Sequence, residues 1–305
     1  LCLPPFFDQP FTPSLYDDIM IKNMTRHSVD EHLKKVVRLT KLMATHHDRD
    51  VEGIHALRTA TRRANVALEL FGNWLPTQRT ERISRRLKKL RRRAGSVRDL
   101  HIIESAVRNH FAASPDDIQD WLMAQIDTSG VQQSKSLRKH CRQLMQKRFK
   151  HRARSLAKRV KWRGDGTEPG LAEFCRTTFD HLFDGFFKLV DLLKSNESQL
   201  HPVRIFGRRL RYTLEMMSGI VADSLREEAG KLLSEIQDTL GSARDQITTL
   251  DYLKQLPPQS DETAKSIEKL IHQFEQKFVG QQHQLIHDAI EKAEQLRELQ
   301  KRMTF

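Results

Sequence analysis

From about Ser28 almost to the C-terminus, apolar residues recur at three- and four-residue spacings, the period of a helix that buries one face. On a wheel with His55 at zero, Leu57, Thr61, Ala64, Leu68 and Phe71 gather between about 160° and 240°. Arg58 and Arg62 fall near the other side, at about 300° and about 340°. A second segment repeats the division, with Val203, Gly207, Leu210, Leu214 and Met217 apolar against His201, Arg204, Arg208 and Arg211. Two further segments carry the stripes Ile83, Leu87, Leu90, Ala94 and Ala229, Leu233, Ile236, Leu240. Alternating β-branched runs joined by Asn-Gly turns are absent. The pattern predicts an all-α protein in which some helices build a core with one face and present cations on the other.

Glycine, proline and polar clusters mark where these helices should stop. Breaks are expected near 48–50, Pro76, Gly95, Pro115, Gly130, 196–198, 222–223, Gly241 and Pro257-Pro258. The strongest interruption, Gly164 to Gly170, lies near the midpoint. Residues 1–22 hold four of the ten prolines and read as an irregular arm. The predicted organisation is therefore a first four-helix half over 23–163, a linker over 164–170 and a second four-helix half over 171–305, two bundles in all. Gly95 and Gly241 are read as helix breaks or close crossings, with Asp99 and Asp245 capping the helices that follow.

The halves share more than periodicity. His55-Ala-Leu-Arg58, Arg62-Arg63 and Gly95-Ser-Val-Arg98-Asp99 return, without a gap, 146 residues later as His201-Pro-Val-Arg204, Arg208-Arg209 and Gly241-Ser-Ala-Arg244-Asp245. Leu68-Glu69 falls on Leu214-Glu215 in the same way. A fixed offset of this kind indicates internal duplication, and the repeated positions are mostly cationic. Glu69 and Glu215, seven residues beyond Arg62 and Arg208, are expected to orient those arginines.

Charge narrows the partners. A formal net charge of +13 favours a polyanion: nucleic acid, an acidic membrane or a phosphate polymer. Aromatic residues make up only 7% of the chain, too few for the stacking platforms that readers of single-stranded bases use. Segment 79–94 is crowded with Arg and Lys, whereas its second-half counterpart substitutes Glu228, Glu235, Gln237 and Asp238 and keeps Lys231 opposite Arg85. From Lys135 to Arg163 there is no acidic residue. Arginine dominates the repeated positions, and its fork matches phosphate oxygens in bidentate fashion. His55 and His201 would add donors, more strongly when protonated. Arg98 and Arg244 divide evenly between ligand contact and structural ion pair.

Other chemistry is poorly supported. The three cysteines, Cys2, Cys141 and Cys175, are far apart, so a reducing cytosol is the default and neither a disulfide framework nor a cysteine zinc site is implied. No apolar run approaches the roughly 20 residues of a membrane span. Phosphate-cradling glycine loops, nucleophile elbows and clusters of acids for Mg²⁺ are not found, so no cofactor is expected. His283 and His287 are four residues apart, but Gln284 stands where a metalloprotease carries its Glu.

The motif His-x-x-Arg-x-x-x-Arg-Arg at 55–63, its fuller form running from Leu200 through Tyr212 to Glu215, and the Gly-x-x-Arg-Asp elements at 95–99 and 241–245 together resemble the CHAD family, the conserved-histidine α-helical domain. The resemblance spans about residues 25–300. It implies two four-helix bundles related by a pseudo-twofold axis around a central basic cavity, non-catalytic binding of inorganic polyphosphate, and targeting to polyphosphate granules. The positions it implies as ligand-facing are His55, Arg58, Arg62, Arg63, His201, Arg204, Arg208 and Arg209. Arg211 follows from the fuller second pattern, with Asn65 at the matching first-half position. The charge asymmetry adds Arg85, Lys89, Arg92 and Arg93 as a first-half path, alongside Arg98, Lys231 and Arg244. Nothing resembles the alternating strands of the CYTH tunnel domain that accompanies some members. A nucleic-acid-binding protein, on charge alone, and a phosphohydrolase using the histidines stay open as alternatives. Oligomeric state is not legible.

Overall fold

The computed structural model describes residues 15–45, 50–113, 116–218, 220 and 222–303. Among these, nine α-helices and two single 3-10 turns account for the architecture, as the periodicity predicts. The first half holds α1 (Leu15–Thr45), α2 (Val51–Leu70), α3 (Thr77–Ala113), α4 (Ile118–Gln146) and α5 (Phe149–Ala157). The second holds α6 (Leu171–Leu193), α7 (Leu200–Met216), α8 (Asp223–Lys254) and α9 (Asp261–Gln300). Packing is cyclic in each: α1 on α2, α2 on α3, α3 on α4 and α4 on α1, then α6 on α7, α7 on α8, α8 on α9 and α9 on α6.

The apolar stripes read from the sequence form the cores. Leu57, Ala64, Leu68 and Phe71 of α2 join Ile83, Leu87, Leu90 and Ala94 of α3 in one cluster with α1, the end of α4, and α5. Val203, Leu210, Leu214 and Met217 of α7 join Ala229, Leu233, Ile236 and Leu240 of α8 in a second, built on a run of α6 phenylalanines. A third cluster fuses the halves. The distal part of α3 (Ile103, Val107, Phe111) and the start of α4 meet Leu253 of α8 and the start of α9 (Ile267, Leu270, Phe274). Each fully buried Leu or Phe stabilises the fold by about 1.5–3 kcal/mol, so the third cluster ties α3 and α4 to α8 and α9.

Several expected breaks do not occur. Helix α3 runs through Gly95, α4 through Gly130 and α8 through Gly241. A glycine costs a helix about 1 kcal/mol relative to alanine, less than is gained by keeping the flanking apolar residues, Ala94 and Val97 or Leu240 and Ala243, in register and buried. Asp99 and Asp245 are consequently interior helix residues and cap nothing. The arm is also shorter than expected: α1 begins at Leu15, after Pro13, the last of the four prolines; residues 1–14 lie outside the described set. The breaks at 48–49 and Pro115 likewise fall on residues outside it.

One break was not among those expected, and it has no glycine or proline. Between α4 and α5 the chain turns at Arg148, whose φ of 54° places it in the left-handed region. The stretch before α6 is tied down rather than loose. Lys161 and Arg163 donate backbone N–H groups to the carbonyls of Trp74 and Asn73 at 3.0 and 2.7 Å, and Trp74 Nε1 donates to Glu168 at 2.6 Å. Gly166, with φ of 77°, makes the turn that a side chain would strain.

Candidate functional site

Helices α2 and α7 pack against one another, as do α3 and α8, and a cavity of about 510 Å³ opens between these four. The i, i+3, i+7 spacing sets His55, Arg58 and Arg62 on one face of α2, and His201, Arg204 and Arg208 on one face of α7; all six line the cavity. Arg98 and Asp99 from α3 and Asp238, Arg244 and Asp245 from α8 complete its charged wall. Six guanidinium groups thus face three carboxylates, leaving the cavity positive even with both histidines neutral.

Burial sharpens the imbalance. It is the first cause that lowers Arg62 to about 10 and Arg208 to about 9; Arg58 and Arg204 add repulsion to both, and Arg62 adds it to Arg208. Burial also lowers Arg58 and Arg204, although Asp99 and Asp245 pull the other way. Contacts to the carboxylates are loose. Arg58 Nη1 stands 3.4 Å from Asp99 Oδ1, and Arg208 Nη1 reaches Gln237 Oε1 at the same distance. The Nε atoms of Arg58 and Arg204 and the Nε2 of Gln237 are buried without a hydrogen-bond partner among the described residues. Two like charges about 6 Å apart at an effective dielectric of about 20 repel by roughly 3 kcal/mol. The wall is strongly donor-rich and electrostatically uncomfortable without an anion.

The stronger donation expected of protonated histidines belongs to pH values below the ordinary imidazole range. Burial first, then Arg98, Arg58 and Arg62, hold His55 below the ordinary imidazole range; burial, Arg244, Arg208 and Arg204 do the same to His201. At neutral pH each is neutral and offers a single N–H. Burial raises the Asp245 carboxyl despite its arginine neighbours.

Eight of the sixteen site residues expected from the sequence line this cavity: His55, Arg58, Arg62, Arg98, His201, Arg204, Arg208 and Arg244. The other eight lie elsewhere. Arg63 crosses to the second half, 2.7 Å from Glu215 and over the Tyr212 ring at 5.1 Å. Arg211 also stacks on Tyr212, at 5.3 Å, and donates to Ser234 at 3.0 Å. Arg209 lines a separate cleft with Glu69 and Glu173. Arg85 lines a surface cleft with Glu81. Lys89, Arg92 and Lys231 are exposed, and half-buried Arg93 donates to Ser136. Adjacent helix residues diverge by 100°, so an Arg-Arg pair cannot serve one cavity with both members.

Glu215 and Glu69 do not orient Arg208 and Arg62 as expected. Glu215 pairs with Arg63 and, at 3.7 Å, with Arg211. Glu69 accepts from Asn65 at 2.6 Å, and Asn65 Oδ1 accepts from Ser84 at 2.7 Å. Seven residues span about 10 Å of helix, beyond the reach of a Glu to the guanidinium of an Arg pointing toward its own turn. Gln237 and Asp238 were missed in the sequence, where they counted only as lost cations. A Cβ at Gly241 would lie 3.4 Å from Arg204 Nη2, in van der Waals contact, whereas one at Gly95 would meet nothing within 4 Å.

Metal-ligand geometry is confined, among the described residues, to exposed His287 and Glu291 with half-buried Asp288 between them on α9. His283 turns instead to Glu197, 2.9 Å away. Also among the described residues, no helix is long and apolar enough to cross a membrane.

No curated protein sequence matches the chain. Solved structures do. The chain is similar to the crystal structure of the CHAD domain from the plant Ricinus communis, with TM-score 0.69 and 18% identity over 88% of this chain and 91% of that one. It is also similar to PptA from Streptomyces chartreusis, with TM-score 0.58 and 17% identity over 94% of this chain and all of the other (100%). At such identities these likenesses speak for the fold. The family model of the CHAD domain matches residues 27–254, three quarters of the chain. The repeated His-Arg motifs, the all-α fold and this match together place the chain in the CHAD domain family, for which polyphosphate binding is the known property.

Proposed function

We propose that this chain binds inorganic polyphosphate in the cavity between α2, α3, α7 and α8, and that it does so without catalysing a reaction on the polymer. The observation that carries this reading is the excess of six buried or half-buried guanidinium groups over three carboxylates, with Arg62 and Arg208 pushed down to about 10 and about 9. A chain of phosphates threaded between the two helix pairs supplies the missing anions and accepts bidentate hydrogen bonds from both sides. At roughly 30 Å³ per water-sized group, a phosphate unit takes on the order of 100 Å³, so the cavity accommodates on the order of five units. The ligand-facing set is the eight cavity residues His55, Arg58, Arg62, Arg98, His201, Arg204, Arg208 and Arg244. The neutral histidines donate to phosphoryl oxygens, and the arginines carry the charge. Recruitment to polyphosphate granules follows from such binding where polymer accumulates.

The test is a titration with long-chain polyphosphate at two salt concentrations, competed by single-stranded RNA and duplex DNA. Micromolar or tighter binding that resists both nucleic acids supports the proposal. Equal competition would replace it with a nucleic-acid-binding protein. Orthophosphate release with added Mg²⁺, lost on changing His55 or His201, would replace it with a phosphohydrolase.

A further inference from the structure

Helix α3 is basic on two separate flanks. One, carrying Arg98, faces the cavity. On the other, Arg82, Arg86, Lys89 and Arg93 follow at i, i+4, i+7 and i+11, a stripe about 16 Å long at 1.5 Å per residue. That flank borders α4 and α5, both packed on α3, and α5 adds exposed Arg152. Arg86 is pressed from several sides: it is half-buried, its Nη1 has no hydrogen-bond partner among the described residues, and Arg152 and Arg82 both repel it. No carboxylate contributes to its electrostatics or to those of nearby His140, which burial, Arg93, Lys89 and Lys147 hold down at about 4. The neighbouring groove between α1 and α5 differs, because Asp30 already pairs with Lys34 there at 2.5 Å.

This row of cations, with no ion pair among the described residues, is like the cavity wall in its excess of positive charge, displaced to the outside of the first half. We infer that this α3–α5 flank is a second anion-binding track, which takes the part of a phosphate polymer too long for the cavity. The inference rests on the cavity reading and gives it a direction: the polymer leaves over the first half, because the corresponding face of α8 carries Glu228 and Glu235 in place of Arg82 and Lys89. Affinity then depends on chain length. Tripolyphosphate fills only the cavity, whereas a polymer of about a hundred units gains the additional contacts.

The experiment compares these two ligands on the full chain and on the triple variant Arg82→Gln, Arg86→Gln, Arg152→Gln. The track predicts an unchanged tripolyphosphate affinity, at least a tenfold loss for the long polymer, and a salt slope shallower by about 2 for three lost contacts. Long-polymer binding within twofold of the parent would overturn the track while leaving the cavity intact. Loss of tripolyphosphate binding on Arg58→Ala plus Arg204→Ala, with the track variant unaffected, marks the cavity as a separate site; no loss there would overturn the cavity reading instead. A single-stranded RNA that binds the parent as tightly as the long polymer, and weakens as much in the triple variant, would make the track a nucleic-acid surface and contradict the inference. If half-buried Arg86 proves necessary for folding in a thermal melt, the pair Arg82→Glu and Arg152→Glu, both at exposed positions, carries the same comparison.

Discussion

Helices α3 and α8 occupy matching places in the two halves yet differ in the charge they carry. Their core stripes are both fully buried, and their cavity ends carry the same Arg-Asp pair, Arg98-Asp99 and Arg244-Asp245. Outside those positions the 146-residue offset pairs Arg82 with Glu228, Lys89 with Glu235, Arg91 with Gln237 and Arg92 with Asp238. The core stripes and the Arg-Asp pair at the cavity are alike, whereas Gln237 and Asp238, which line the cavity from α8, and the solvent side differ in charge from their counterparts on α3. Packing constrains the core stripes of both helices; the remaining surface is free to specialise. The cavity between α2, α3, α7 and α8 is lined from both halves, whereas the stripe Arg82, Arg86, Lys89 and Arg93 has no counterpart of like charge on α8.

The largest effect should come from the element the halves share. Arg58→Ala with Arg204→Ala removes one buried guanidinium from each wall. At about 1.5–3 kcal/mol for each charged hydrogen-bonding group, polyphosphate affinity should fall at least about a hundredfold, as read by titration. Because both groups are buried among like charges, the ligand-free melting temperature should not drop. A collapse of the circular dichroism melt would assign them to the fold instead.

Asp238 offers a change in the opposite direction. It is a cavity carboxylate, and it supports the charged form of Arg204. Asp238→Asn keeps its size and removes the charge, so polyphosphate should bind about threefold to tenfold more tightly, the scale of one charge-assisted contact. Unchanged affinity would mean the ligand does not approach this side of α8.

The two motif glycines separate structure from site. Gly95→Ala places a Cβ in open space and should stabilise α3 by about 1 kcal/mol, with binding unaltered. Gly241→Ala gains the same propensity but puts its Cβ 3.4 Å from Arg204 Nη2. That is van der Waals contact with the flexible end of the side chain, so the methyl should restrict the reach of the guanidinium and weaken binding by at most about threefold. Melting curves and titrations on the two variants check the contrast, and equal behaviour would contradict it.

The smallest effect is on pH. His55, His201 and His140 all titrate below their unfolded value of 6.5. In the unfolded chain they take up protons first, so stability present above about pH 6.5 is lost as pH falls toward the folded values, about 4 for His140. Asp245, raised by burial, contributes in the opposite sense, since its carboxyl protonates more readily in the folded state. The ligand-free melting temperature should decline by a few degrees between pH 7 and pH 5, and bound polyphosphate should offset the part due to His55 and His201. A flat profile would mean that the histidines take up protons equally in the folded and unfolded states and lie outside the arginine field.

How much of this could be read from the chain depends on the range of the interactions. The stripes of α2, α3, α7 and α8 were legible because helical periodicity is local, and every residue named for them is buried. The cavity arginines were legible because i, i+3, i+7 spacing fixes a face. Arg63 and Arg209 were grouped with them by motif, yet a 100° step turns each toward another neighbour; Arg211 shares the face of Arg204 but lies two turns further along α7, beside Tyr212, Ser234 and Glu215. Asp99 and Asp245 were misread as caps because two glycines suggested ends, and only the buried residues on both sides show why the helices continue. The turn at Arg148 and the third core cluster leave no local trace, being products of contacts between residues far apart in sequence. Similarly, the stripe Arg82, Arg86, Lys89, Arg93 was visible as charge, but its approach to Arg152 was not.

A structure determined with a short polyphosphate bound tests the central claim most directly. The account predicts phosphate groups inside the cavity, bridging Arg62 of α2 and Arg208 of α7 and touching Arg58 and Arg204. Phosphates found only on the outer surface of α3, with the cavity arginines uncontacted, would contradict it.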